Sequence, residues 1–306
     1  MKFKYIFISL VSLIFSCDSE TSKRKVLSES TGKQNEIILV IEDSDWNGVA
    51  GDILRKTFEF EIDGLPQSEK LFNLVKINPS QFSRFFRTHM NIMFVGRDYK
   101  DSYTKNKWAK PQIVMYINSN SNESEFETSC VRSFNFLNRK EIENIKYSYK
   151  RAHNTEARKY IQESFGIDLF LPTEYSVSLK SENLFISDFH SFNEKQDLLK
   201  YILVYELFPN NEVDIQNQLI NFTDSILKEN IKGAVDGSYV QIDRRMPLSE
   251  IDGTYRGIWT LKNGFMAGPF ILKSRYIEDK IIVSLGLVFY PNEDKRDYVR
   301  TFEAIL

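Results

Sequence analysis

The stretch Asp43-Ser44-Asp45-Trp46-Asn47-Gly48-Val49-Ala50-Gly51-Asp52 gathers carboxylates, an amide, an aromatic ring and two glycines within ten residues. Asp43, Asp45, Asn47 and Gly48 match positions 1, 3, 5 and 6 of a calcium loop of the EF-hand type. There, alternate oxygens coordinate the ion and the glycine permits a sharp turn. The twelfth position of such a loop is a bidentate glutamate, but here it is Leu54, and the run before it reads as a strand rather than a helix. A second reading is local: Ser44 or Asp45 caps a helix by accepting its free N–H groups, and the acids suit the positive end of its dipole. A third makes Gly48-x-x-Gly51 a phosphate cradle, but the dinucleotide fingerprint is incomplete and three aspartates repel an anion. Neither a metal nor a cofactor is expected from this segment.

The remaining chemistry is scattered. Asp43, Asp45, Asp52 and Asp188 are the carboxylates from which an acid–base pair would be drawn. The three histidines, His89, His153 and His190, have no metal-ligand spacing, and no G-x-S-x-G elbow is present. Ser102 and Ser225 each begin an S-x-x-K pattern, one in a polar loop and one in a helix whose apolar face is core. Arg244, Arg245, Arg256 and Arg275 either gather around an anion or make ordinary surface pairs. Trp46, Gly48, Gly51 and Asp52 in the first half, with Arg256, Trp259, Gly268 and Pro269 in the second, form the candidate binding surface. Around Gly264-Phe265-Met266-Ala267-Gly268-Pro269, Trp259 either frames an aromatic pocket or packs a plain hairpin, with Gly268-Pro269 at a bend or edge. Cys130 reads as a buried small hydrophobe rather than a reactive thiol.

Periodicity supplies the elements that must position these residues. Glu36–Asp43, Lys70–Ile77, Asn91–Arg97 and Gln112–Asn118 are strands. Asp45–Phe58 and Pro79–His89 are helices, and Lys100–Lys110 is a polar loop. Glu123–Gly166 is one long helical stretch that Asn138 divides, ended by a left-handed glycine. Strands follow at Tyr175–Lys180, Asn183–His190 and Leu199–Phe208. An amphipathic helix covers Asp214–Ile231. Four more strands begin at Ser238, Tyr255, Pro269 and Lys280, and a helix closes the chain over Asp294–Leu306. The expected fold is α+β, in two related or adjacent α/β sandwich-like halves. Their sheets would be mixed and largely antiparallel, with helices packed on one face. The halves are 35–168 (βαβαββα) and 169–306 (strand-rich), with the boundary near Gly166–Pro172.

Composition narrows the function classes. Apolar residues make up 42% of the chain, enough for a core. The 40 basic and 42 acidic residues offer no cationic excess for nucleic acid. At the N-terminus, Lys2 and Lys4 precede an apolar run over Tyr5–Phe15, too short to span a bilayer but of the length of a secretory h-region. Ile14-Phe15-Ser16-Cys17 follows and resembles a bacterial lipobox. That resemblance implies a signal peptide over 1–16, acyl chains such as palmitate on Cys17, and a polar tether over 17–34. Two or more acyl chains hold a protein stably at a membrane. The other reading is an ordinary cleaved leader in which Cys17 is incidental. With Cys17 acylated, Cys130 has no disulfide partner.

The order lipobox, tether, strand, then Asp43…Asp52, Leu65–Phe72 (LPQSEKLF), Arg87–Val95 (RTHMNIMFV), Arg256–Trp259 (RGIW) and Met266–Arg275 (MAGPFILKSR) resembles an uncharacterised family of Bacteroidetes lipoproteins, domain of unknown function 4837. The resemblance implies a cell-envelope location and supplies no catalytic residues; of the two membranes, the outer is the expected one. The expected role is a non-catalytic binding or scaffolding module, anchored by its lipid and meeting an envelope protein, glycan or small ligand. The alternative is an envelope hydrolase working through paired carboxylates.

Overall fold

The computed structural model describes residues 26–193, 196–210, 212–291 and 293–306. Cys17 and the leader before it lie outside these. Among the described residues no helix is long and apolar enough to cross a membrane.

The first half contains β1 (Ser28–Glu29), β2 (Glu36–Val40), α1 (Asp43–Trp46), α2 (Val49–Phe58), β3 (Asn73–Ile77), β4 (Asn91–Gly96), β5 (Ser102–Lys105), β6 (Ala109–Lys110), β7 (Ile113–Asn118) and α3 (Glu123–Arg151). Five of these strands form one sheet in the order β3-β2-β4-β7-β5. The first four run parallel, and β5 joins β7 antiparallel. Near-continuous apolar runs suit parallel strands because both faces are covered. Ile37 and Leu39 face a core with Leu54 and Phe58 of α2 and Cys130 of α3. Ile38 and Val40 face Phe82, Phe86 and Phe94 on the other side.

The second half contains α4 (Thr155–Phe165), β8 (Ser176–Ser181), β9 (Leu184–Asn193), β10 (Gln196–Leu207), α5 (Ile215–Asn230), β11 (Tyr239–Ile242), β12 (Ser249–Ile251), β13 (Thr254–Lys262), β14 (Ala267–Ile277), β15 (Lys280–Phe289) and α6 (Arg296–Ile305). Its eight strands form an antiparallel half-barrel in the order β11-β13-β14-β15-β10-β9-β8, with β12 beside β13. Strand alternation splits the apolar residues between two cores. Ile202, Val204, Ile271 and Ile282 meet Ile161 and Phe165 of α4 and Phe302 and Ile305 of α6. Leu203, Tyr205, Leu272 and Leu285 meet Leu219 and Leu227 of α5 on the opposite face.

The α+β class is thus the one expected. In detail, the first sheet is mainly parallel, and both sheets are covered on both faces rather than one. The long helical stretch breaks at 152–154, not at Asn138. Asn154 caps α4 by accepting from Ala157 N at 3.0 Å, and Gly166 ends it at φ +71°. The expected helix over Pro79–His89 is two short 3-10 turns, Pro79–Gln81 and Arg84–Thr88. Of the stretch expected as tether, β1 pairs parallel with β6, and Thr31 donates to Thr88 O at 2.8 Å.

The halves are clasped through α6. Its first N–H groups have no partner within the helix. Glu69, buried, takes them with its carboxylate, from Lys295 N at 2.8 Å and Arg296 N at 2.7 Å. Its charge also suits the positive end of the helix dipole. Just before it, Gly64 turns at φ +78°, where a Cβ would lie 2.9 Å from Gly257 N and 3.1 Å from Arg256 Cβ. The LPQSEKLF and RGIW stretches, remote in sequence, therefore meet in space.

Candidate ligand pocket

The candidate residues of the first half are absorbed by structure. Asp43 and Asp45 sit in the single turn of α1, two residues apart, where side chains do not face each other. Asp43 is ion-paired with Lys76, while Asp45 accepts from Ser119 Oγ at 3.0 Å and lies 3.6 Å from Arg97. Asp52 pairs with Arg55 at 2.6 Å. The Arg55 guanidinium also stacks 4.4 Å over the Trp46 ring. No side chain caps either α1 or α2, so the capping role expected of Ser44 or Asp45 is not the one the structure gives them. Gly48 begins α2, and Gly51 is demanded by crowding, since a Cβ there would fall 1.8 Å from Trp46 O. The calcium-loop candidates Asp43, Asp45 and Asn47 do not converge, and no group of three metal-ligating side chains exists among the described residues. Asp43, Asp45, Asp52 and Asp188 have no polar partner in common.

The arginines also separate. Arg244 pairs with Asp224 at 2.7 Å and Arg245 with Asp243 at 2.6 Å. Arg256 joins Glu303 at 2.9 Å, and Arg275 donates to Ser284 Oγ at 2.9 Å. Glu303 also receives Arg300 at 2.6 Å, which ties β13 to α6. Ser102 lies on exposed β5, Ser225 bonds back to Asn221 O within α5, and Cys130 is buried, with burial pushing its thiol up to about 12. His89 is buried between Glu36, at 2.8 Å, and the Asn91 carbonyl, and His153 bonds Lys150 O at 3.1 Å.

The residues that do come together line the half-barrel. Helix α5 covers only part of one face, and past Ile231 the segment Lys232–Ala234 lies over the strands and leaves a space beneath it. A cavity of about 200 Å³ opens there, walled by Trp259, Leu261, Met266, Leu287, Phe289 and Leu199. Trp259 is placed by its cross-strand partner, Gly268. With no side chain at 268, the indole crosses the neighbouring strand and donates Nε1–H to Val288 O at 3.2 Å. A Cβ at 268 would lie 1.9 Å from that carbonyl. Pro269, opposite Ile258, stands just before the β14–β15 ladder begins at Phe270, so its missing N–H interrupts no bond there.

Polar groups gather at the mouth. Along β9 the two-residue period sets Asp188, His190 and Phe192 on the cavity side. His190 Nε2 lies 3.1 Å from Tyr201 Oη and 3.4 Å from Asp188. Tyr201 faces Asp188 across the β9–β10 pair, so its hydroxyl meets His190 on the diagonal. Burial, and secondarily the Asp188 charge, raises the Tyr201 pKa, so it stays a neutral hydroxyl. Phe192 and Phe265 are 63% and 92% exposed, and Val235 63%. Each lines the cavity or adjoins a residue that does, so the mouth has an apolar rim. The arrangement can hold a small apolar body inside while His190 and Tyr201 exchange hydrogen bonds with a polar end. Trp259, Gly268 and Asp188 are candidates on sequence; His190 enters there only as a metal ligand, and Tyr201 does not enter. Their signal is the β9–β10 register, which a single sequence does not fix.

Comparisons with known proteins give two family matches, a domain of unknown function DUF8532 over residues 30–150 and a domain of unknown function DUF4837 over residues 154–306. They divide between α3 and α4. No curated protein matches the chain. LpqN of Mycobacterium tuberculosis, a solved structure described as involved in cell envelope biogenesis, matches with 13% identity over 45% of this chain and 78% of its own. Its TM-score is 0.26, a likeness too partial to carry an argument.

Proposed function

The chain belongs to the family defined by the domain of unknown function DUF4837, and on that premise we propose that it is a cell-envelope lipoprotein of the Bacteroidetes type, acylated at Cys17, whose half-barrel binds a small apolar ligand without transforming it. The anchor rests on the sequence of residues 1–17. The binding role rests on one observation, a mainly apolar cavity with a few polar side chains, His190, Tyr201 and Lys232, in its lining, which is the ordinary composition of a ligand site. Its volume, about 200 Å³, is below the range for drug-sized ligands, ~300 Å³ upward. It is somewhat above the ~150 Å³ cavity that takes benzene. The ligand is therefore ring-sized, or the end of a hydrocarbon chain. The hydrolase alternative needs two carboxylates at one place, and the four candidates have four different partners, Lys76, Arg97, Arg55 and His190.

Titration of the purified full chain with a 1-alkanol series from butanol to decanol, followed calorimetrically, tests the binding role. Saturable one-site binding that tightens with chain length until the cavity is full is expected, and Met266→Trp, which fills the cavity, abolishes it. Absence of saturable binding across the series removes the role. Mass spectrometry of the native N-terminal peptide tests the anchor separately: an unmodified Cys17 thiol, or an attached leader, would remove the envelope placement.

A further inference from the structure

A second cavity, of about 420 Å³, lies in the other half between α3 and β5. Strand β5 ends its sheet, and all four of its residues are exposed. Just past it, Asn106 N–H donates to Gln112 O at 2.9 Å. Antiparallel alternation from that bond turns the backbone groups of Ser102 and Thr104 toward β7. Those of Tyr103 and Lys105 are left on the open edge, and an open edge is a template for another strand.

The facing wall is one stripe of α3, with Arg132, Phe136 and Arg139 at i, i+4 and i+7. The Phe136 ring sits 4.4 Å from Tyr103, giving the groove an apolar floor. Arg132 and Arg139 are exposed, and among the described residues the arginine ion pairs are all made by others. The one carboxylate lining the cavity, Asp101, is occupied: it accepts from Asn118 N at 2.8 Å and from Ser129 Oγ at 2.5 Å. The groove thus offers unpaired backbone groups on one wall and, on the other, two arginines that make no ion pair among the described residues, against the single carboxylate of Asp101.

We propose that the β5–α3 groove binds an extended, acidic segment of a partner protein, which adds as a further strand at the β5 edge. The backbone of the segment bonds Tyr103 and Lys105. Alternate side chains fall on the Tyr103–Phe136 floor, and acidic ones reach Arg132 and Arg139. This is strand addition, in which main-chain bonds give affinity and side-chain contacts give selectivity. An oligosaccharide could use the rings and the arginines but lacks the regularly spaced peptide N–H and C=O groups that match the edge. The site is separate from the half-barrel cavity and does not depend on it.

The test is selection of a random heptapeptide display library on the purified full chain, followed by fluorescence anisotropy of the recovered peptides. The expected peptides alternate apolar residues with acids. Arg132→Glu and Arg139→Glu, both exposed, should each weaken them at least tenfold. Lys105→Pro should do the same while Lys105→Ala does not, because proline removes an outward N–H at a position edge strands tolerate. Met266→Trp should leave peptide binding unchanged. Recovery of no acid-biased peptide overturns the proposal, as does binding indifferent to the arginine reversals. Arginine-dependent binding of an anionic oligosaccharide that survives Lys105→Pro also overturns it and assigns the groove to a sugar.

Discussion

The two sheets handle the same problem differently. The parallel sheet of the first half is sealed on both faces, by α2 and α3 on one side and by Phe82, Phe86 and Trp108 on the other. What it leaves open is an edge. The half-barrel of the second half leaves a gap under one covered face, where only Lys232–Ala234 follows α5. An open edge exposes backbone and suits a chain-like partner. A gap over a face exposes side chains and suits a compact apolar body. The lesson is that the kind of ligand follows from which part of a sheet its helices fail to cover.

Trp259→Ala should have the largest effect. It empties the centre of the half-barrel core and should cost about 3–5 kcal/mol by denaturant titration, with loss of alkanol binding. Phe58→Ala, in the sealed half, should cost a similar amount yet leave alkanol binding intact. Equal losses of binding in both would erase the contrast.

Glu69→Ala should come next, at about 3 kcal/mol, because it leaves buried N–H groups of α6 unsatisfied. It cuts the clasp between the sheets, so near- and far-ultraviolet unfolding curves that coincide in the parent should separate. Curves that stay coincident would mean that α6 is held by its apolar face alone.

Gly268→Ala and Gly51→Ala should each cost about 1–3 kcal/mol through overpacking. Only the first should weaken alkanol binding, because it displaces the Trp259 indole.

A pH effect is smaller. Burial lowers the Lys273 pKa from 10.5 to about 8, with Arg275 adding to the shift. Between those values the unfolded chain keeps a proton that the folded chain has shed, so stability rises with pH there. Below about 8 the cost of the buried ammonium is present in full. Lys200, also lowered by burial, acts in the same direction. Cys130, raised from 9.0 to about 12, opposes the trend above pH 9. The clear window is therefore pH 8 to 9, where Lys273→Met should flatten the rise. The least perturbing measurement is thiol titration: Cys130 should resist alkylation in the folded chain and react fully in denaturant.

Legibility followed burial. Strands β2, β4, β7 and β15 were evident because both faces are covered, which makes their runs apolar throughout. Strand β5 was hidden because Ser102, Tyr103, Thr104 and Lys105 are all exposed and pairing with β7 alone makes them a strand. The α3–α4 break had a local signal in Asn154, a good N-cap three residues before Ala157, but the helical pattern on either side masked it. The parallel order of the first sheet had none, since it depends on which remote runs pair. The half-barrel site was half visible. Trp259 beside Gly268 could be read as a pocket wall, whereas His190 and Tyr201 meet only once the β9–β10 register is set.

The pairing of β1 with β6 has a mechanical consequence. A pull on the leading segment reaches the body first at a two-residue ladder, Ser28 on Ala109 and Glu29 on Lys110, then at Thr31, and only afterwards at β2. Strand β2 is flanked on both sides and resists. The short ladder acts as a fuse: when it parts, residues 28–34 pay out roughly 24 Å of slack, at about 3.4 Å each, while both sheets stay folded.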